Sequence, residues 1–569
     1  MLDLDSHQKE TFRANVDALQ RTWGGPLRLD PSRESLARVE LDVRAGQLHL
    51  RVMSESGRWV TIHGRRPNEE GAAWWNNCGA THDTLGPVVV IGAGLGYGIH
   101  AALNSHPKAR VLVVEHEPAM TIVLLAARDW RPWIQQRRLG VLAGPDYVGL
   151  TDFVASFGSD DLPPMVVSHP VLTRERGADA VEAARAVKRV VSEGRHNRAA
   201  RAAFGGRYLV NTLANLGAIL EAGHVTDFDG AAGGRPAIIA GAGPSLNRNI
   251  EELRPFRDRA ILIAAGSAMR PLLASGIEVD LLVALDPGDL NAKNLAGTSE
   301  GNHTLLVAEG SLPSEVLREF RGRTIAFRVG DNHPWPWLRS LGVDPGALRA
   351  WGSVITSSFD LAIRMGCDPI VFVGADHAYT NGQPYCRNTT WEKDWRDVER
   401  CGMPMADIWR YWMESRPVVM AQSSRGEAVE SASHLLAYRD WLVDASVRAA
   451  PIRVINATGA GVLWGGRIEI MGVENAMAGK VTINPPALAG LRHRARLDAN
   501  ARSSGASLAM RIGRQGSQSL CDSWAQDVGT LDARHVRAAL AAGLDDWNAY
   551  EAAVETDRRV PGCADVRDG

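Results

Sequence analysis

The sequence predicts an α/β protein with a Rossmann-like N-terminal domain, a central domain on a mostly parallel, doubly wound sheet, and a helical C-terminal region. Three observations predict this class. Two strand-to-helix corners carry Gly-Ala-Gly, beginning at Gly92 and Gly241, 149 residues apart; that distance suits two nucleotide-fold units and not a short-period repeat. Beyond residue 236, seven short apolar runs alternate with helical stretches: "AIIAGAG", "AILIAAG", "VDLLVALD", "TLLVAEG", "TIAFRVG", "DPIVFVGAD" and "IRVINATG". Parallel strands buried on both faces require such runs. From about residue 476 the chain is alanine-rich with helical spacing, and it ends in a polar tail.

Composition narrows the class further. A chain of 569 residues exceeds what one hydrophobic core usually supports, so several domains are expected. With 45% hydrophobic and 22% charged residues it is neither disordered nor fibrous. A formal net charge of −2 argues against a general nucleic-acid binder. The six cysteines, Cys78, Cys367, Cys386, Cys401, Cys521 and Cys563, are scattered without a C-x-x-C pair, which suggests no zinc site and no disulfide framework and fits a reducing compartment. The start "MLDLDSHQKETFRANVDAL" lacks the basic and apolar parts of a signal peptide, and no window offers the roughly 20 apolar residues of a membrane span. A cytoplasmic protein is expected.

In chain order, residues 1–85 read as a small α+β cap, with alternating runs "QLHLRVM" and "WVTIHG". Residues 86–175 read as the Rossmann-like domain, because "PVVVIGAGLGYGIHAAL" and "ARVLVVEHEP" give strand, glycine corner, helix and a second strand ending in acid. Gly92, Gly94, Gly96 and Gly98 followed by Glu115 are spaced as in an adenosine-binding unit whose acid holds ribose hydroxyls. A methyltransferase or dehydrogenase is the enzymatic reading of that segment, but no motif for methyl transfer follows, and a structural or acceptor-docking role is favoured. Residues 176–229 read as connecting helices, and "GAAGGRP" as the linker into a domain at 230–475. Within it, "WEKDWRDVERCGMPMADIWRYW" interrupts the alternation with four tryptophans and reads as an inserted lid or interaction surface. Residues 476–569 form the helical C-terminal region.

Ligands of parallel sheets sit beyond the carboxyl ends of the strands, and amides at a following helix start attract phosphate. At "AIIAGAGPSLNRNIEEL", Gly241 and Gly243 permit close backbone approach, Pro244 fixes one torsion, and Ser245 caps the helix or donates to phosphate oxygen. The plain alternative is a tight strand-to-helix turn. Other strand ends bring polar groups to the same edge: Gly266 and Ser267, Asp286, Thr356, Ser357 and Ser358 at a helix start, Asp376, and Asn456 and Thr458. These are the candidate substrate-binding residues. Asp286 with Asp289 offers oxygen ligands to magnesium, but one Asp-x-x-Asp does not define a metal site and none is assigned.

The ordered set "GAGPSLNRNIEEL", "AAGSAMRPLLASGIEVDLLVALDP", "VGADHAYTNG" and "VINATGAG" resembles the central domain of the bacterial motility accessory factors, which transfer nonulosonic, sialic-like sugars onto flagellin. "RYLVNTLANL", with Asn211 and Asn215, is similar to the helix that leads into that domain. The same domain is similar to archaeal 6-hydroxymethylpterin diphosphokinases and, more distantly, to bacterial sialyltransferases that use CMP-sugars. The latter resemblance implies CMP at Gly243, Pro244, Ser245 and Leu246 and a helix start at Thr356 and Ser357, with Ser358 replacing a glycine. It further implies phenols at Tyr379 and Tyr385 that stabilise the departing phosphate, and a catalytic base at His434. A histidine suits the base because its pKa lies near operating pH. Two departures, "NATGAG" for the family's "NATEGG" and His377 where an apolar residue is common, fall on the acceptor side. The resemblance implies a CMP-sugar donor, flagellin as acceptor and no firm cofactor. The alternatives are an ATP-dependent pyrophosphokinase and a non-catalytic flagellin chaperone with a relic nucleotide pocket.

Overall fold

Valine and isoleucine dominate the first central strand, and every one of its residues is buried, so it needs cover on both faces. The structure, a computed structural model, describes residues 4–23, 29, 33–44, 47–78, 87–144, 147, 150, 165–330, 332–478, 521–524 and 532–558. The chain divides into two units: residues 1–196 with 443–448, and residues 197–442 with 449–569. The first division falls inside the helix Gly177–Ala214.

The first unit starts with the helix Ser6–Trp23 and an antiparallel sheet of β1 (Val39–Arg44), β2 (Gln47–Met53) and β3 (Trp59–Thr61). A four-stranded parallel sheet follows: β4 (Val88–Ile91), β5 (Val111–Glu115), β6 (Leu139–Ala143) and β7 (Met165–Ser168), in the order β6-β5-β4-β7. The strand order therefore reverses between β4 and β7. Val88, Val90, Val111 and Val113 face Trp75, Ile99, Leu124 and Trp130 in one core. Asn15 ties the N-terminal helix to it, donating to the carbonyls of Leu125 and Arg128 at 2.8 Å each and accepting from the Trp130 amide at 2.8 Å.

The second unit contains a nine-stranded sheet: β8 (Gly223–His224), β9 (Ala237–Ala240), β10 (Ile261–Ala265), β11 (Leu281–Ala284), β12 (Leu305–Glu309), β13 (Thr324–Phe327), β14 (Ile370–Val373), β17 (Val454–Asn456) and β18 (Ile468–Ile470). Between β14 and β17 in sequence come β15 (Val418–Gln422) and β16 (Ala428–Ala432), an antiparallel hairpin. The large sheet has the order β18-β17-β14-β9-β10-β11-β12-β13-β8, and each neighbouring pair is parallel. All seven apolar runs are strands in it. From β9 the chain steps outward to β13, then returns to lay β14 against the other side of β9. That reversal is the topological switch point, where open α/β sheets place ligands.

The helix Leu246–Leu253 shows why this edge is fixed. Leu246, Ile250 and Leu253 recur on one face and are buried, each worth roughly 1.5–3 kcal/mol, so the corner before the helix is held against the sheet. The helix Val354–Arg364 packs on β9, β10 and β11. The tryptophan-rich insertion, residues 391–412, folds within the helices Thr390–Arg400 and Met405–Glu414, and the β15–β16 hairpin follows it. The C-terminal helix Ala533–Arg558 contributes Val536, Ala539 and Leu540 to a core with Leu209, Leu213 and Trp335. The expected polar tail lies outside the described residues, as does Cys563. Cys78, Cys367, Cys386, Cys401 and Cys521 are free thiols. No helix among the described residues is long and apolar enough to cross a membrane.

Candidate functional site

At the switch point the strand ends of β9 and β14 interlock through backbone. Gly241 N–H donates to Val373 O and Gly243 N–H to Gly374 O, both at 2.9 Å. A Cβ at Gly243 would stand 2.3 Å from an Asp376 carboxylate oxygen, and one at Gly241 2.7 Å from Gly374 O; only glycine permits this approach. Ser245 then turns its amide and its hydroxyl onto the same carboxylate, N–H at 3.3 and 3.2 Å and Oγ–H at 2.7 Å. Thr380 adds a hydroxyl at 2.6 Å. Asp376 is buried, and burial pushes its pKa up against the stabilising hydrogen bonds of Thr380 and Ser245.

This arrangement differs from the open amides expected for a phosphate. The N–H groups of Gly241, Gly243 and Ser245 already have protein acceptors, and a carboxylate of the chain occupies the electropositive corner. The physical reason is proximity: β14 pairs directly with β9, so the loop after β14 lands on the loop after β9.

Beside this corner opens a cleft of about 560 Å³, within the usual range for small-molecule sites. Three strand-end loops and the hairpin line it. Pro244, Ser245, Asn247 and Arg248 come from the β9 end; Thr380, Asn381 and Gln383 from the β14 end; Gly459, Ala460 and Gly461 from the β17 end; Ser423, Arg425 and Glu427 from the hairpin turn. Arg248 holds the wall together, paired to Glu252 at 2.9 Å and donating to Thr458 O at 2.7 Å.

Of the residues expected to bind substrate, Pro244 and Ser245 line the cleft. Gly241, Gly243 and Asp376 stand behind it. Asn456 and Thr458 form the support: Asn456 donates to Leu463 O at 2.7 Å and accepts from the Thr458 amide at 2.9 Å, while the Thr458 hydroxyl accepts from Ala375 N–H at 3.1 Å. Thr356, Ser357 and Ser358 are fully buried and bind the backbone around their own helix start, to Ser353, Arg349 and Val354. Gly266 has φ +45° and leads with Ser267 into the next helix. Asp286 is exposed and accepts the Gly288 amide at 2.8 Å, and Asp289 pairs with Arg207 at 3.2 Å. Asn211 and Asn215 tie down the loop after β12, donating to Ser311 O at 2.8 Å and to Gly310 O at 2.9 Å.

The expected catalytic residues gather elsewhere. Tyr379 packs with Met413, Trp412 and Leu435, and Tyr385 lies parallel to Trp391 and edge-on to Trp412. Burial raises both phenols, Tyr385 to about 12. His434, the neighbour of Leu435, sets its ring against Tyr438 at 5.7 Å. His377, at φ +49°, is buried, and desolvation lowers its pKa to about 3. None of these four lines the cleft; the loop from Tyr379 to Tyr385 joins the two places, since Thr380, Asn381 and Gln383 lie on it.

Sequence reasoning missed Arg248, Arg425 and the Gly459–Gly461 loop. Arg248, three residues beyond Ser245 on the helix, was accessible from helical spacing. Arg425 was not, because the hairpin that carries it pairs only weakly alternating residues.

The glycine corner of the first unit is also filled from within. The Glu115 carboxylate accepts the Ala93 amide, and His63 Nε2 accepts that of Leu95 at 2.9 Å. A Cβ at Gly96 would meet Trp130 at 2.5 Å and one at Gly98 would meet Trp74 at 2.2 Å. The cavity beside Glu115 is about 30 Å³, room for about one water. Desolvation raises Glu115 to about 7 and lowers His63 to about 3 and His169 to about 4.

Residues 210–382 match the family model described as 6-hydroxymethylpterin diphosphokinase MptE-like. An uncharacterized protein of Treponema pallidum (strain Nichols) is 24% identical over 226 residues, covering 39% of this chain and 76% of that protein. The solved structure of MAf glycosyltransferase from Magnetospirillum magneticum AMB-1 aligns with a TM-score of 0.44 and 16% identity, over 95% of this chain and 91% of that one. The matched residues, 210–382, carry most of the motifs that resemble the motility accessory factors.

Proposed function

We propose that this chain is a glycosyltransferase that moves a nonulosonic, sialic-like sugar from a CMP-activated donor to Ser or Thr of flagellin in the cytoplasm, supporting flagellum assembly and motility. The observation that carries the reading is the polar cleft at the switch point, lined by residues of "PSLNR", "TNGQ" and "GAG", which belong to three of the segments on which the family resemblance rests. Its volume suits a nucleotide-sized ligand, and Arg425 supplies a cation where the amides of the corner do not, Arg248 being paired with Glu252.

In the reaction the acceptor hydroxyl loses its proton to a base, its oxygen bonds to the anomeric carbon, and CMP departs with the electron pair of the broken carbon–oxygen bond. Side-chain donors of the cleft meet the leaving phosphate. His434 is the base the resemblance supplies, and it adjoins Leu435, which packs on Tyr379. A second reading, transfer of diphosphate from ATP to a pterin-type alcohol, is favoured by the description of the matching family; magnesium would there join the phosphates. Calorimetric titration of the full chain separates the two. CMP binding without added metal is expected; ATP binding that requires magnesium, with no response to CMP, reverses the ranking. Binding of CMP without sugar transfer to flagellin supports the chaperone instead.

A further inference from the structure

The turn of the β15–β16 hairpin is held in place more firmly than an exposed loop requires. Ser423, which is buried, accepts the amides of Arg425 and Glu427 on its hydroxyl, at 3.2 and 3.1 Å, and exchanges backbone bonds with Glu427 and Gly426. Gly426 at φ +85° closes the turn. Two long-range bonds fasten it to the sheet: Ser424 N–H to Gly461 O at 2.9 Å and Trp464 Nε1–H to Gln422 O at 2.9 Å. Gly461 is itself pressed against Asp376, where a Cβ would lie 2.1 Å from the Asp376 carbonyl oxygen. The tip of the hairpin is therefore fixed relative to the strand ends of β9, β14 and β17.

Two cations line the cleft, and they differ. Arg248 is committed to Glu252 and Thr458. Arg425 lines the cleft from the fixed turn, and among the described residues its guanidinium has no ion-pair or hydrogen-bond partner in the protein. An arginine on a rigid support with its five donors uncommitted is suited to bidentate capture of an oxyanion. We propose that the hairpin turn is an oxyanion-recognition arm, in which Arg425 binds a phosphate or carboxylate group of the ligand in the cleft. This rests on the reading that the cleft holds the sugar-nucleotide donor, which carries a phosphate and, in a nonulosonic sugar, a carboxylate.

The test uses the full-length chain and its R425A and R425K variants, titrated calorimetrically with CMP, cytidine, free N-acetylneuraminic acid and ATP with magnesium. Arg425 is exposed, so unfolding midpoints should match and folding does not confound the comparison. If the arm holds phosphate, R425A weakens CMP by about tenfold or more and leaves cytidine unchanged. If it holds the carboxylate, CMP is unaffected and the free sugar acid loses about tenfold or more. R425K recovers only part of either loss, because an ammonium cannot form the paired bonds. CMP and sugar-acid binding equal in wild type and R425A overturn the arm while leaving the donor reading intact. A wild type that ignores CMP but binds ATP in an Arg425-dependent way overturns the donor reading and keeps the arm. A wild type that binds none of the four removes both.

Discussion

The two Gly-Ala-Gly corners of this molecule, one in each unit, solve the same problem in the same way and end with different surroundings. Each folds a carboxylate of the chain onto amides of its own corner: Glu115 onto Ala93 in the first, Asp376 onto Ser245 in the second. The first acid comes from the adjacent strand end 22 residues on, and the corner is closed by His63, Trp74 and Trp130. The second comes from across the switch point, 131 residues away, and the corner borders a cleft of about 560 Å³. A glycine fingerprint therefore describes a backbone that approaches closely, and what it approaches is decided by the neighbouring strand ends.

The sharpest break of the comparison is Gly374→Ala. Its φ is +59° and a Cβ would stand 2.3 Å from Gly241 O, so backbone must move and a loss of about 3 kcal/mol or more is expected in urea unfolding of the second unit. Gly57→Ala, at φ +76° with open space around it, is the control and should cost about 1 kcal/mol. A similar small loss at both positions would mean that the interlock of the two strand ends tolerates displacement.

The next effect belongs to the first corner and to pH. Burial raises the Glu115 pKa from 4.5 to about 7, so the stability tied to its neutral form is complete below about pH 4.5 and is lost as pH rises through about 7. Glu115→Gln should leave the first unit unchanged at pH 4 and stabilise it at pH 8, by on the order of 3 kcal/mol. His63 and His169 work in the opposite sense, since their depressed values remove stability as pH falls. They are common to both proteins, so the difference between the two unfolding curves isolates Glu115. A difference that does not vary with pH would show that the carboxylate is solvated.

The smallest effect is at the second corner. Ser245→Ala removes the hydroxyl that donates to Asp376 at 2.7 Å and keeps the amide bond, for an expected loss of about 1.5 kcal/mol by the same unfolding measurement. No measurable loss would assign the anchoring of Asp376 to Thr380 and the backbone alone.

The fold was legible where burial leaves a periodic mark. The seven apolar runs of the second unit are strands because a parallel strand with helices on both faces admits little else. Strands β8 and β18 were not legible: Gly223–His224 and Ile468–Ile470 hold no continuous apolar run. The hairpin escaped for a different reason, since β15 alternates only between half-buried and exposed positions, and its charged turn reads as solvated loop. Among the site residues, Pro244 and Ser245 were visible from the corner motif. The role of Asp376 as internal acceptor was not, because no local spacing encodes a contact over 131 residues. Arg425 was hidden likewise, its position resting on the Ser424 bond to Gly461.

The return of the chain from β13 to β14 has a consequence for assembly. Arg248 meets Thr458 across 210 residues, and the hairpin tip meets Gly461, so the walls of the cleft are drawn from widely separated stretches of the second unit. Such contacts close late, after the intervening loop entropy has been spent. A nascent chain that has emerged only as far as β14 can pair its central strands, yet it acquires a ligand cavity only once residues 459–461 have left the ribosome.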